Sequence, residues 1–249
     1  MYESIAGVDG CKDGWIAAFC PVINKPMPEF KIYDTFRELI ERMPDSSLIM
    51  IDIPIGLADE DSRQCDIEAR KKLDVRGSSV FPTPIRAVVE DPRSQMDYAY
   101  AVGVSQQNHK RQKGISKQTH AILPKIAKVN ELMTPELQNR ILETHPELIF
   151  WALNHGEPLP PKKTEKGKKR RIEILDKIFP GIEKEIYAKA KEFCKEAKID
   201  DVIDACACLA TAILFLTHKT TKIPTEPETD KKGLRMEMHY PNPDKLLLF

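Results

Sequence analysis

The stretch SIAGVDGCKDGWIAAFCPV, residues 4–22, decides the reading of the fold. Ser4 to Val8 is apolar with β-branched residues, Asp9 to Gly14 is rich in turn formers, and Trp15 to Val22 is apolar again. Two extended runs around a glycine-bearing turn predict a β-hairpin. A third short strand, Phe30 to Tyr33, follows a proline-rich turn. Phe36, Leu39, Ile40 and Met43 then recur at helical spacing until Pro44, which lacks the N–H a helix needs, stops the pattern. Leu48 to Ile53 is a continuous apolar run broken only by Asp52, as expected of a central strand buried on both faces, and Pro54 and Gly56 close it.

The resulting order, β-β-β-α-β, is the opening topology of a ribonuclease H-like domain: three antiparallel strands, a crossover helix, and a fourth strand beside the first. Downstream, residues 58–141 read as mainly helical, with a Gly/Ser/Pro-rich break at Arg76 to Pro84. Thr134, Pro135 and Glu136 offer an N-cap, a proline at the first helical position and an early acid. Ile141 to Phe150 reads as a strand leading into a helix. Helical patterns cover about Lys169 to Phe179 and Ile182 to Ala197, and Asp200 to Thr217 is an apolar, buried helix. Leu234, Met236, Met238 and Tyr240 alternate like a strand that extends a sheet edge. The expected fold is therefore α/β: a ribonuclease H-like mixed five-stranded sheet with flanking helices, in one domain over 1–249. A large helical insertion occupies about 58–141 and a basic helical segment about 162–198.

Composition limits the function. Basic and acidic residues balance at 38 each, so any nucleic-acid contact has to come from a local patch, not from a global field. The N-terminus has no basic flank leading into an apolar run, and the longest apolar segment, Val202 to Leu216, is broken by Asp204 and too short to span a bilayer. A cytoplasmic protein with no membrane partner is expected. Six cysteines without a Cys-x-x-Cys pair indicate neither a zinc site nor a disulfide framework. Aromatic residues are 7% and show no repeated stacking pattern, which argues against a single-strand-binding module built on base stacking.

Certain carboxylates stand where ordinary packing does not explain them. Asp52 lies inside Ile49 to Ile53, where desolvation costs several kcal/mol unless a cation or hydrogen bonds compensate. Asp9 ends an apolar run at a glycine turn, where an acid bonded to backbone amides is the plain alternative. Asp201 and Asp204 lie three apart at the head of the apolar helix and share a face. Asp200 or Asp201 also suits an N-cap, whereas Asp204 is beyond a cap's reach. Glu147 follows His145 and Pro146 at the end of a strand and is either a site residue or an acid on the first turn of the next helix. Several acids at one place repel one another unless cations neutralise them. Mg²⁺ or Mn²⁺ does so through oxygen ligands, and a pair about 4 Å apart stabilises both the attacking water and the leaving oxygen of a phosphoryl displacement.

Six segments together resemble a known family: Val8 to Trp15, Ile51 to Leu57, Arg76 to Phe81, Ser116-Lys117-Gln118, His145-Pro146-Glu147 and Asp200 to Ala205. They resemble domain-of-unknown-function family 429, described as predicted nucleases with a ribonuclease H-like fold, and the resemblance covers nearly the whole chain. It implies Asp9 and Asp52 as metal ligands, an acid from the last helix, Asp204 or Asp201, as a further one, and Glu147 close by. Arg76, Ser78, Ser79, Lys117 and Gln118 match its motif positions. The hydroxyl, ammonium and amide donors among them suit phosphate oxygens, or else cap loops and helices. Two departures are the acid-rich Ala58 to Asp61 and the basic run 162–171. That run is either a solvated linker or, through Lys163, Lys168, Lys169, Arg170 and Arg171, a salt-sensitive contact to a nucleic-acid backbone.

The leading expectation is a Mg²⁺- or Mn²⁺-dependent nuclease in which a metal-activated water attacks a phosphodiester of DNA or RNA. The alternatives are a phosphotransferase of the actin and sugar-kinase clan, which would need a second phosphate-loop domain, and a non-catalytic nucleic-acid-binding scaffold. Oligomeric state is not legible.

Overall fold

Apolar runs flanking a tight turn bury best when they pair, and the computed structural model, which describes residues 2–23 and 27–246, builds its sheet from them. β1 (Ser4–Cys11) and β2 (Gly14–Pro21) form the hairpin and β3 (Glu29–Tyr33) pairs antiparallel with β2. The hairpin turn is tighter than the sequence suggests. β1 runs through Asp9 to Cys11, Asp9 pairs with Ile16, and only Lys12 and Asp13 remain in the turn. The proline-rich turn before β3 falls partly on 24–26, outside the described residues.

Thr35, whose side chain accepts the Glu38 N–H, caps helix α1 (Phe36–Arg42), and the chain returns as β4 (Ser47–Asp52) parallel to β1. The next stretch is helical: α2 (Gln64–Leu73), α3 (Arg86–Val89), α4 (Pro92–Met96), α5 (Tyr98–Asn108) and α6 (Lys117–Leu132). β5 (Ile141–Glu143) then pairs parallel with β4 and completes a mixed five-stranded sheet in the order β3-β2-β1-β4-β5. α7 (Pro146–Leu153), α8 (Glu165–Asp176), α9 (Ile182–Glu192) and α10 (Ile199–Leu216) come next, with β6 (Thr220–Ile223) and β7 (Met238–Pro241) in a two-stranded sheet of their own.

Two local signals led elsewhere. Thr134 accepts the Leu137 N–H, but the cap opens only a three-residue 3-10 turn, Leu137–Asn139, cut short by β5. The alternating run from Leu234 becomes strand only at Met238, and it meets the large sheet through a single isolated bridge between Thr144 and His239.

The chain divides into two compact units. Unit 1 comprises Met1–Asp52, Arg140–Thr221 and His239–Phe249; unit 2 comprises Ile53–Asn139 and Lys222–Met238. The second unit thus takes in 222–238 as well as the helical stretch. It is held by buried ion pairs. Arg63 grips Asp66 at 2.7 Å and donates to the Ile55 carbonyl, while Arg86 grips Asp230 at 2.7 Å and donates to the Leu57 carbonyl.

In unit 1 the sheet has two covered faces. Trp15 stacks obliquely on Phe36 of α1, with ring centroids 5.5 Å apart, on one of them. On the other, Ile5, Leu48, Met50 and Leu142 meet α7, α8 and α10 in the main core, where each fully buried aliphatic side chain contributes roughly 1.5–3 kcal/mol. α10 is buried from Val202 to Leu214 and lies directly on β1 because Gly7 has no side chain there. A Cβ at Gly7 would stand 1.9 Å from the Leu209 nitrogen and 2.2 Å from the Ala205 oxygen. Among the described residues no helix is long and apolar enough to cross a membrane.

Candidate functional site

Register puts the first two acids together. Asp9 and Asp52 are direct partners on the parallel strands β1 and β4, so they share a face, with backbones about 4.8 Å apart as neighbouring strands are. It is the face that Gly7 turns toward α10. Asp204 enters from the second turn of that helix, 2% exposed, one turn before Cys208 and Leu209, whose backbone rests against Gly7. Three carboxylates from distant segments thus meet at the carboxyl ends of β1 and β4.

Their protonation reflects the crowding. Burial pushes Asp9 well above the ordinary carboxylate range, Asp52, Asp204 and Asp201 push the same way, and Lys162 opposes them. Asp52 is raised to about 6, chiefly by burial, with Asp204 adding to the rise and positive charge on His145 and Lys162 working against it. Burial also raises Asp204, while Lys162 and Arg171 pull it down. One Asp9 oxygen accepts the Gly10 N–H at 2.7 Å.

Two cations from the basic run stand beside the acids: the sequence does not single out Lys162, and it marks Arg171 only as a backbone contact. Lys162, just after Pro160 and Pro161, sets its Nζ 2.8 Å from Asp204 Oδ2, and the carboxylate holds the ammonium well above the ordinary lysine value. Arg171, 1% exposed, donates from Nη2 to both oxygens of Glu147 at 2.8 and 2.9 Å and from Nη1 to the carbonyls of Pro160 and Gly167. One signal for Arg171 did exist: it sits on the apolar stripe of α8 with Ile174 and Leu175.

The expected site residues therefore separate. Asp9, Asp52 and Asp204 converge. Asp201 is raised by burial, yet one of its oxygens accepts the Lys198 N–H at 2.8 Å, the capping role that the sequence left open. Glu147, in the first turn of α7, is held by Arg171 and acts on the cluster as a charge behind Asp204. His145 caps α7, its Nδ1 accepting the Glu147 N–H at 3.2 Å, and it lies near enough to Asp52 to oppose the rise of that carboxyl. Lys163 is exposed in unit 1. Arg76, Ser78 and Ser79 belong to the 3-10 turn Asp74–Ser79 of unit 2, and Lys117 and Gln118 open α6 in the same unit, behind the Ser116 cap. Of the basic run, Arg171 is buried and so does not reach a nucleic-acid backbone.

The Arg171–Glu147 pair makes a test of this arrangement. Arg171→Met leaves Glu147 buried without its counter-ion, and the expected cost is about 3–4 kcal/mol, or about 10 °C in Tm. Arg171→Lys keeps the charge but loses the second nitrogen that donates to the Pro160 and Gly167 carbonyls, and restores part of the stability. Thermal unfolding of the two variants beside the wild type measures this, and an unchanged midpoint for Arg171→Met would show that the pair carries no stability.

The donor set suits a hard divalent cation: Asp9, Asp52 and Asp204 offer anionic oxygens alone, and their raised protonation is what a cation would reverse. Among the described residues no three His, Cys, Asp or Glu side chains already surround one point at ligand spacing. Lys162 holds an oxygen of Asp204 instead, at 2.8 Å, from a side chain that is partly exposed.

A family model described as Protein of unknown function (DUF429) matches residues 7–229. No curated protein and no solved structure matches the chain.

Proposed function

We propose that this chain, which belongs to the DUF429 family of proteins of unknown function, is a nuclease that hydrolyses phosphodiester bonds of nucleic acid with Mg²⁺ or Mn²⁺. The observation that carries the reading is the convergence of Asp9, Asp52 and Asp204 in unit 1, buried together with their protonation raised. Like charges are kept together inside a protein only against repulsion and desolvation, and a hard cation relieves both. The sheet order, with β4 parallel to β1 and α10 lying across both, supports reading unit 1 as ribonuclease H-like.

Asp9, Asp52 and Asp204 would hold the cation. When bound, it supplies acidification of a coordinated water and compensates charge on the phosphoryl oxygens. Lys162, which holds Asp204, would meet a phosphate oxygen there as a point charge. His145, held by its Nδ1 as the cap of α7, lies near Asp52, where its Nε2 would orient a water or a phosphoryl oxygen by a hydrogen bond. The Glu147–Arg171 pair positions the α7 cap and the 160–162 segment that carry these two groups. The phosphotransferase alternative asks for a second phosphate-loop domain like the first, and unit 2, built on α2 to α6, does not support it.

The test is cleavage of labelled single-stranded, duplex and branched DNA and RNA with Mg²⁺ or Mn²⁺. Metal-dependent cutting that disappears in folded Asp9→Asn and Asp204→Asn is expected, and the substrate cut fastest names the class. If no nucleic acid is cut, the nuclease reading fails.

A further inference from the structure

Unit 1 carries a second feature that the proposed chemistry leaves unused, a groove of about 330 Å³ lined by Asn154, Leu159 and Pro160 and by Lys166, Lys169, Arg170 and Glu173 of α8. We propose that this groove holds a phosphodiester of the nucleic-acid backbone a few nucleotides from the bond that is cut, an inference that rests on the nuclease reading.

Helical spacing creates the groove's charge. Positions 166, 169, 170 and 173 are i, i+3, i+4 and i+7 and share one face of α8, while Gly167, Arg171, Ile174 and Leu175 turn the other face into the core. Three cations thus face one carboxylate. Arg170 is fixed before any ligand arrives, donating to Asn154 Oδ1 at 3.0 Å and to Glu173 Oε2 at 3.3 Å. Among the described residues Lys166 and Lys169 have no carboxylate partner and are exposed, whereas their neighbour Lys168 is paired with Glu165 at 2.9 Å. With Arg170 compensated by Glu173, the two unneutralised ammonium groups of Lys166 and Lys169 are the groups that would meet phosphate oxygens. The apolar surface of Leu159 and Pro160 suits the sugar.

The groove also lies close to the acids. Pro160 lines it, the Pro160 carbonyl accepts from Arg171, and two residues further on Lys162 meets Asp204. Two residues span at most about 7 Å. A duplex strand carries a phosphate about every 3.4 Å along its axis, so a strand with one phosphodiester at the acids brings another to the groove within a few nucleotides.

The experiment is salt-dependent binding of fluorescent single-stranded DNA, single-stranded RNA and duplex DNA to the full chain, measured by anisotropy. Wild type, Lys166→Ala/Lys169→Ala and Asp52→Asn are compared. Removing two phosphate contacts is expected to lower the slope of log affinity against log salt by about 1.4 for single strands and about 1.8 for duplex, with an unchanged melting midpoint. Asp52→Asn is expected to keep the wild-type slope while losing cleavage. An unchanged slope in the double variant, with metal-dependent cleavage intact in the wild type, overturns the groove and leaves the nuclease reading standing. A wild type that binds none of the three probes overturns both.

Discussion

Gly7→Ala is expected to leave unit 1 unfolded. The added Cβ would meet the Leu209 nitrogen at 1.9 Å, the Ala205 oxygen at 2.2 Å and the Cys208 carbonyl carbon at 2.6 Å, and all three belong to the backbone of α10. No rotamer change relieves a backbone collision. α10 would have to retreat by roughly 1.5 Å to regain ordinary van der Waals separation, opening a gap along a helix buried from Val202 to Leu214. Overpacking usually costs about 1–3 kcal/mol because flexible neighbours give way. Here nothing flexible stands in the way, so about 5 kcal/mol or more is expected, enough to abolish a typical fold. Circular dichroism and denaturant unfolding read the outcome. Gly103→Ala in α5, where nothing lies within 4 Å of the added carbon, is the control and should be neutral or stabilising by up to about 1 kcal/mol. A Gly7→Ala protein with the wild-type midpoint would mean that α10 does not rest on β1 as described, and the convergence of Asp204 with Asp9 and Asp52 would go with it.

Asp52→Asn is expected to cost at least about 10³-fold in cleavage, some 4 kcal/mol of transition-state stabilisation, and yet to make the metal-free protein more stable at neutral pH. Asp52 is raised from 3.8 to about 6 by burial and by Asp204. Between pH 4 and 6 the folded state therefore binds more protons than the unfolded chain, so stability falls as pH rises through that window. Above it, the ionised carboxylate is a net cost of about 3 kcal/mol at 1.36 kcal/mol per pH unit. Asparagine keeps the shape without the charge. The melting midpoint of Asp52→Asn, measured in chelator, should exceed wild type by several degrees at pH 7 and should match it below about pH 4, where the aspartate is protonated in both states. A lower midpoint at pH 7 would indicate that the surrounding cations outweigh the crowding, contrary to the balance described. Stability surrendered at a functional site is a common trade.

The features legible in the chain before folding were those that depend on neighbours in sequence. The hairpin, the crossover helix and β4 come from the spacing of apolar residues, and the five-stranded sheet comes from their order. Asp52 and Asp204 stood out because a charge inside an apolar strand or on the second turn of an apolar helix is costly unless a cation or buried hydrogen bonds compensate it. Local signals also misled. Asp9-Gly10 has the composition of a turn, yet pairing with β4 on one side and β2 on the other extends β1 through it. Thr134 to Glu136 has the composition of a helix start, yet only a 3-10 turn fits before β5 begins.

The sequence by itself thus determined the α/β class and the order of the main elements and marked Asp52 and Asp204 as acids that packing does not explain, because periodicity and desolvation act along the chain; it left Asp9 open as a turn acid and Asp201 and Glu147 as further candidates. The tertiary structure alone decided that Arg171 occupies Glu147, that Lys162 stands at Asp204, and that a missing side chain at Gly7 lets α10 bring its acid to the strands. Those facts depend on atoms 24, 42 and some 200 residues apart meeting within a few ångströms, and no local pattern encodes which of many lysines, arginines and glycines will be there.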